Sequence, residues 1–157
     1  MPIIHLETTI LATPAVCYQL ALSVDLHQSS TSGTQEYIVG GVNEGKMQLN
    51  DTVTWRAKHF GIWQNLTVKI TACTPFEYFR DEMQKGAFKS MQHEHYFIET
   101  PAGTLMKDVF NFESPLGILG RIFNALILTN YMTKFLITRN QFIKSVAESD
   151  AKNEFID

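Results

Sequence analysis

Six polar side chains fall on strand faces that otherwise read as apolar, and they are the residues of this chain with chemistry to offer. On a two-residue pleat, His59, Gln64, Asp81, His93, His95 and Asp108 share a face with Trp55, Leu66, Met83, Met91, Phe97, Met106 and Phe110. Burying ionisable groups is costly unless they pair or hydrogen-bond. Asp–His pairing across adjacent strands would offset that cost and leave a satisfied polar network. The functional alternative is a polar stripe that orients an amphipathic ligand in an apolar pocket.

Two further chemistries are open to the same residues. His93 and His95 stand two apart, so their imidazoles project from one side of a strand about 7 Å apart along the chain. Strand-borne zinc sites use that spacing, and Asp81 or Asp108 can complete a three-ligand set. Any two histidines two apart do the same, so the expectation is a site without metal. As an enzyme, the chain would use His93 or His95 as a general base in an aldol cyclisation or dehydration. No nucleophile motif, defined carboxylate pair or cofactor loop accompanies them. If either histidine anchored a ligand carboxylate as imidazolium, binding would weaken as pH rises through its pKa.

The elements that must position these residues are legible from periodicity. Ile3 to Ile10 alternates as a strand, and Thr13-Pro14 stops it and starts a short helix with Val16, Cys17, Leu20, Ala21 and Val24 on its apolar face. Residues 29–34 read as a polar loop. Strands follow over residues 36–42, 52–59, 62–72 and about Tyr78, Ser90 and Met106, divided by Gly61, Pro75, Lys85-Gly86 and Pro101-Ala102-Gly103. Gly40-Gly41 reads as a turn or bulge, because no phosphate-loop spacing accompanies it.

The chain closes with a helix expected over about residues 115–147. Ser114 is its expected cap and Pro115 its first residue, and apolar side chains recur at three- and four-residue steps. At about 30 residues it would be about 45 Å long, and such a stripe needs a concave partner. Ile122, Phe123, Leu126 and Ile127 are expected to face the strands. Gly117 and Gly120, in its first turns, mark an end that yields to admit ligand. Residues 148–157 form a polar tail.

Composition narrows the function. The 157 residues carry 13 Lys+Arg against 16 Asp+Glu, a formal charge of -3 with no basic run, which argues against nucleic-acid binding. Cys17 and Cys73 are read as reduced thiols. The start lacks a signal-peptide pattern and no long apolar run occurs, so a cytoplasmic chain without stable membrane insertion is the expectation. Residues 1–157 read as one domain, and oligomeric state is open.

Several stretches resemble the START-like, or helix-grip, superfamily, which also holds birch-pollen allergens, polyketide cyclases and aromatases, and lipid-transfer domains. They are Ile10-Leu11-Ala12-Thr13-Pro14-Ala15-Val16, the Gly45 to Asp51 turn before Thr52-Val53-Thr54-Trp55, Phe79-Arg80-Asp81-Glu82-Met83, His93-Glu94-His95-Tyr96-Phe97, and Phe112-Glu113-Ser114-Pro115-Leu116-Gly117. Thr13 departs from the usual Ala. The likeness spans the chain and looks closest to small single-domain bacterial members.

The resemblance implies an α+β helix-grip fold. A strongly curved antiparallel sheet of about seven strands would wrap a long C-terminal helix, with one or two short helices after the first strand. It also implies a cavity between sheet and helix for a hydrophobic or amphipathic small molecule, lipid, sterol-like or aromatic polyketide-like, with no metal or cofactor. The expected lining is Trp55, His59, Gln64, Leu66, Asp81, Met83, Met91, His93, His95, Phe97, Met106, Asp108, Phe110, Ile122, Phe123 and Leu126. A cyclase or dehydratase acting through the cavity His and Asp residues is one alternative. A protein-interaction module of co-chaperone type is another.

Overall fold

A computed structural model describes residues 1–156, with the Asn124 side chain left aside. Strand β1 (Ile3–Ile10) leads into helices α1 (Pro14–Leu22) and α2 (Val24–Ser30), and then into six strands in succession. These are β2 (Tyr37–Gly41), β3 (Thr52–His59), β4 (Ile62–Thr74), β5 (Tyr78–Lys85), β6 (Ser90–Thr100) and β7 (Gly103–Glu113). All neighbours pair antiparallel in the order β1-β7-β6-β5-β4-β3-β2, so β1 crosses over to join the last strand. Register shifts in the β2–β3 and β4–β5 pairs supply local bends of the kind that curl a sheet.

The pleat falls as the alternation predicts. Val53, Trp55 and Ala57 on β3, Met91, His93, His95 and Phe97 on β6, and Met106, Asp108, Phe110 and Phe112 on β7 are all buried. Thr13 caps α1, its hydroxyl accepting from the Val16 amide, with Pro14 in the first turn.

Three expectations are corrected. The stretch read as a polar loop over residues 29–34 instead begins inside α2, which Ser23 caps through the Leu26 amide. Ser30 and Thr31 are buried there because their hydroxyls bond back to the His27 carbonyl, so polar side chains are satisfied locally. The terminal tail also folds: α5 (Asn153–Ile156) follows a 3₁₀ turn, Phe155 and Ile156 pack on the core, and Lys46 Nζ donates to the Ile156 carbonyl at 3.0 Å.

The closing helix is the third. It runs as α3 (Gly117–Phe123), a π turn over residues 124–128, and α4 (Thr129–Ala147). Burial follows the helical step through Leu128, Met132, Leu136, Ile143 and Val146. Before and within the wide turn most apolar residues point outward: Ile118 and Leu119 are each 75% exposed, and Ile122, Leu126 and Ile127 are exposed too. A π turn holds an extra residue, so a stripe continuous in sequence does not stay on one face. Ser114 is buried and Gly117 has φ +51, which excludes the regular helix start expected at Pro115.

Candidate functional site

Between the concave sheet face and α4 lies a cavity of about 600 Å³. Its apolar wall comes from Trp55, Leu66, Val68, Ile70, Met91 and Phe110 on the strands, with Phe135 and Leu136 opposite on α4. The wall is apolar because alternate positions of successive strands all face the helix, and the helix returns Met132 and Leu136 at its own period.

Of the residues expected to line it, Trp55, His59, Gln64, Leu66, Asp81, Met91, His93, His95, Phe110 and Phe123 do so. Six others do not reach the wall. Met106 is fully buried within the core, Phe97 packs against Tyr18 and Phe79, and Met83 packs beside the Gly86 turn. Asp108 lies behind the two histidines, and Ile122 and Leu126 face outward for the reason given above.

The polar cluster is held by register. Asp81 on β5 is opposite His93 on β6, and His95 is opposite Asp108 on β7. His93 Nε2 meets Asp108 Oδ1 at 2.8 Å, and His95 Nε2 meets Asp81 Oδ1 at 2.9 Å. His95 Nδ1 also lies 3.1 Å from Asp108 Oδ1, but not in line for a hydrogen bond, so this buried nitrogen has no hydrogen-bond partner. The His95 ring is sandwiched, 4.1 Å from Phe79 and 3.8 Å from His93 between centroids.

Two partners on α4 complete it. Asn140 Nδ2 donates to Asp108 Oδ2 at 2.6 Å, and Arg139 Nη1 donates to Asn140 Oδ1 at 3.2 Å while standing 3.8 Å from Asp108 Oδ1. Both are buried at the place where the stripe stepping on from Leu136 should be apolar. That interruption was visible in the sequence, and it is the signal that would have found them.

Burial and the neighbouring His95 ring lower the His93 pKa to about 4, against the opposing pull of Asp108. Burial pushes the Asp108 carboxyl up, but the hydrogen bond from His93 and the close approach of the His95 ring outweigh it and hold the group well below its ordinary value. Asp81 is likewise lowered: burial opposes ionisation, and the His95 hydrogen bond and the charges around it prevail. His93 is therefore neutral at pH 7 and already engaged by a carboxylate. That removes the basis for an imidazolium there anchoring a ligand carboxylate.

A second polar pair lies on the cavity wall. His59 Nδ1 and the Tyr131 hydroxyl are 2.6 Å apart, and burial lowers the His59 pKa and raises that of Tyr131, so the neutral pair is the one present, with the phenol donating. A third pair, His27 Nε2 and Glu36 Oε1 at 2.6 Å, sits where the His27 ring tilts against Trp55. Tyr131, His27 and Glu36 all lie on the cavity wall and were not singled out by the alternation, which reads strands and misses side chains arriving from helices and loops.

The seven-stranded curled antiparallel sheet closed by a long C-terminal helix is a helix-grip fold. Solved structures share it over nearly the whole chain. A Thermus thermophilus protein, TTHA0849, is similar at TM-score 0.72 and 15% identity, over 93% of this chain and 99% of that one. Major latex-like protein 151 of Panax ginseng is similar at TM-score 0.70 and 15% identity, over 94% and 98%. The di-domain ARO/CYC StfQ of the steffimycin biosynthetic pathway is similar at TM-score 0.70 and 12% identity, over 95% of this chain and 52% of that one. No protein-family model and no curated protein matches the chain. Among the described residues, no helix is long and apolar enough to cross a membrane.

Proposed function

We propose that this protein binds a hydrophobic or amphipathic small molecule in the cavity between sheet and α4. The observation that carries the reading is the cavity itself: about 600 Å³, walled chiefly by apolar and aromatic side chains, with polar groups in the minority. That volume is within the range of about 300–1,000 Å³ of small-molecule sites. A core evolved only for stability would be expected to fill such space, because voids forfeit packing energy. The ionisable side chains on the wall are already engaged, His27 with Glu36, His59 with Tyr131, His95 with Asp81 and His93 with Asp108, so the cavity suits neutral hydrogen-bonding groups of a ligand better than a charge. Solved structures of the same fold include a major latex-like protein and an aromatase/cyclase, which is compatible with cavity use.

The experiment is native mass spectrometry of the purified chain with a panel of fatty acids, sterols and aromatic polyketides. One ligand retained per chain, displaced by a competitor, is the expected result. No retained ligand from any class would overturn the reading.

A further inference from the structure

The geometry points to a binding site for one divalent first-row transition-metal ion on the cavity wall, with Asp81, His93 and His95 as its ligands and Asp108 as the positioning residue for both imidazoles. One donor atom from each of the three ligands lies within 4.8 Å of the other two. An ion with bonds of about 2.1 Å needs donors about 3.4 Å apart in tetrahedral geometry, so the donors have to draw together by at most about 1.4 Å.

His95 supplies the independent observation. Its two nitrogens each face a carboxylate, Nε2 toward Asp81 and Nδ1 toward Asp108. Nδ1 is buried and has no hydrogen-bond partner, its 3.1 Å approach to Asp108 being out of line for one. An ion held by His95 Nε2 and Asp81 would fix the ring proton on Nδ1, the nitrogen beside Asp108. His93 already has Asp108 on Nε2, which leaves Nδ1 as its free lone pair. One buried carboxylate orienting two ligand histidines from behind is how protein metal sites fix tautomer and ring angle, and Asn140 fixes that carboxylate in turn.

Charge and donor type agree. Asp81 and Asp108 bring two negative charges into the cluster and Arg139 brings one positive charge, so a cation improves the balance. Two imidazoles and one carboxylate suit zinc, cobalt, nickel or ferrous iron over calcium or magnesium, which favour all-oxygen sets. Three protein ligands leave further coordination positions for water or a cavity-bound molecule. The inference stands apart from the hydrophobic-ligand reading, since a cavity that takes apolar molecules needs no ion and an ion site needs no apolar ligand.

The full chain, stripped with a chelator, is titrated with Co²⁺ and followed by visible absorption and calorimetry, with Zn²⁺ as competitor. One ion per chain is expected. Asp81→Asn should weaken binding at least tenfold, and Asp108→Asn by about 10–100-fold through loss of orientation. Folding of each variant is checked by circular dichroism. If a variant fails to fold, the parent chain decides: Mn²⁺ should broaden the imidazole resonances of His93 and His95 before those of His5, His27 and His59. The proposal is overturned by absence of stoichiometric binding, by undiminished affinity in folded Asp81→Asn, or by broadening that begins at the other three histidines.

Discussion

Asn140 on α4 and Asp108 on β7 are joined by a 2.6 Å hydrogen bond in a region where both side chains are about 1% exposed. It is a polar tie between the closing helix and the sheet, made to a buried, ionised acceptor. Asn140→Ala should therefore destabilise the fold by about 2–3 kcal/mol, more than a surface hydrogen bond would, because the Asp108 oxygen loses a partner while buried. Urea unfolding with an unchanged m-value checks this. Asn140→Asp should be worse, since it places a second carboxylate against the first.

Acid should destabilise the metal-free protein in a defined window. The His93 pKa is about 4 in the folded chain against about 6.5 unfolded, so the unfolded state binds more protons between those values. Its contribution is complete above about pH 6.5 and is lost as pH falls toward 4, on the order of 3 kcal/mol in all. Asp81 and Asp108 are lowered as well, so they add a loss of the same sign below the ordinary carboxylate range. Unfolding free energies measured with chelator at several pH values should show this slope. His93→Gln should flatten its upper part.

The β3–β4 turn places Phe60 and Gly61 at φ +52 and +76, although phenylalanine is poorly suited to the left-handed region. The strain is held by ring contacts from Phe60 to Tyr131 at 4.6 Å and to Phe123 at 5.9 Å, which close the turn onto the helix beside the cavity. Phe60→Asn relieves the backbone and removes the clasp. Stability should change by less than about 1 kcal/mol as the two effects offset, while the dissociation rate of a cavity ligand rises several-fold in stopped-flow measurements.

Gly117 and Gly120 looked like the soft end of one helix, but each has a structural reason. Gly117 occupies the left-handed region, and a Cβ on Gly120 would stand 2.7 Å from Ser114 Oγ. Gly120→Ala should lower stability by about 1–3 kcal/mol, despite its better helix propensity, and the Ser114→Gly partner change should restore most of it. Thermal unfolding of the single and double variants checks the coupling.

Strand faces were readable because a pleat allows only two, and a buried residue such as Trp55, His93 or Phe110 declares which is inner. Helix phase was not. A single wide turn between Phe123 and Thr129 separates an outward Ile122 from an inward Leu128, and nothing in residue type marks it. The Asp–His pairing was foreseeable from adjacency of strands, but Arg139 and Asn140 reach that cluster from α4, and Tyr131 reaches His59 from the same helix. Their place depended on how the helix docks.

The most direct test of cavity binding is a fluorescence titration with a neutral apolar probe, N-phenyl-1-naphthylamine, in the parent chain and in Ala57→Phe. Ala57 is buried on the cavity wall, and the added ring would occupy space there. Saturable one-to-one binding in the parent, weakened at least tenfold in a folded Ala57→Phe chain, is the predicted result. Absence of saturable binding in the parent, or equal affinity in the filled variant, would contradict the account.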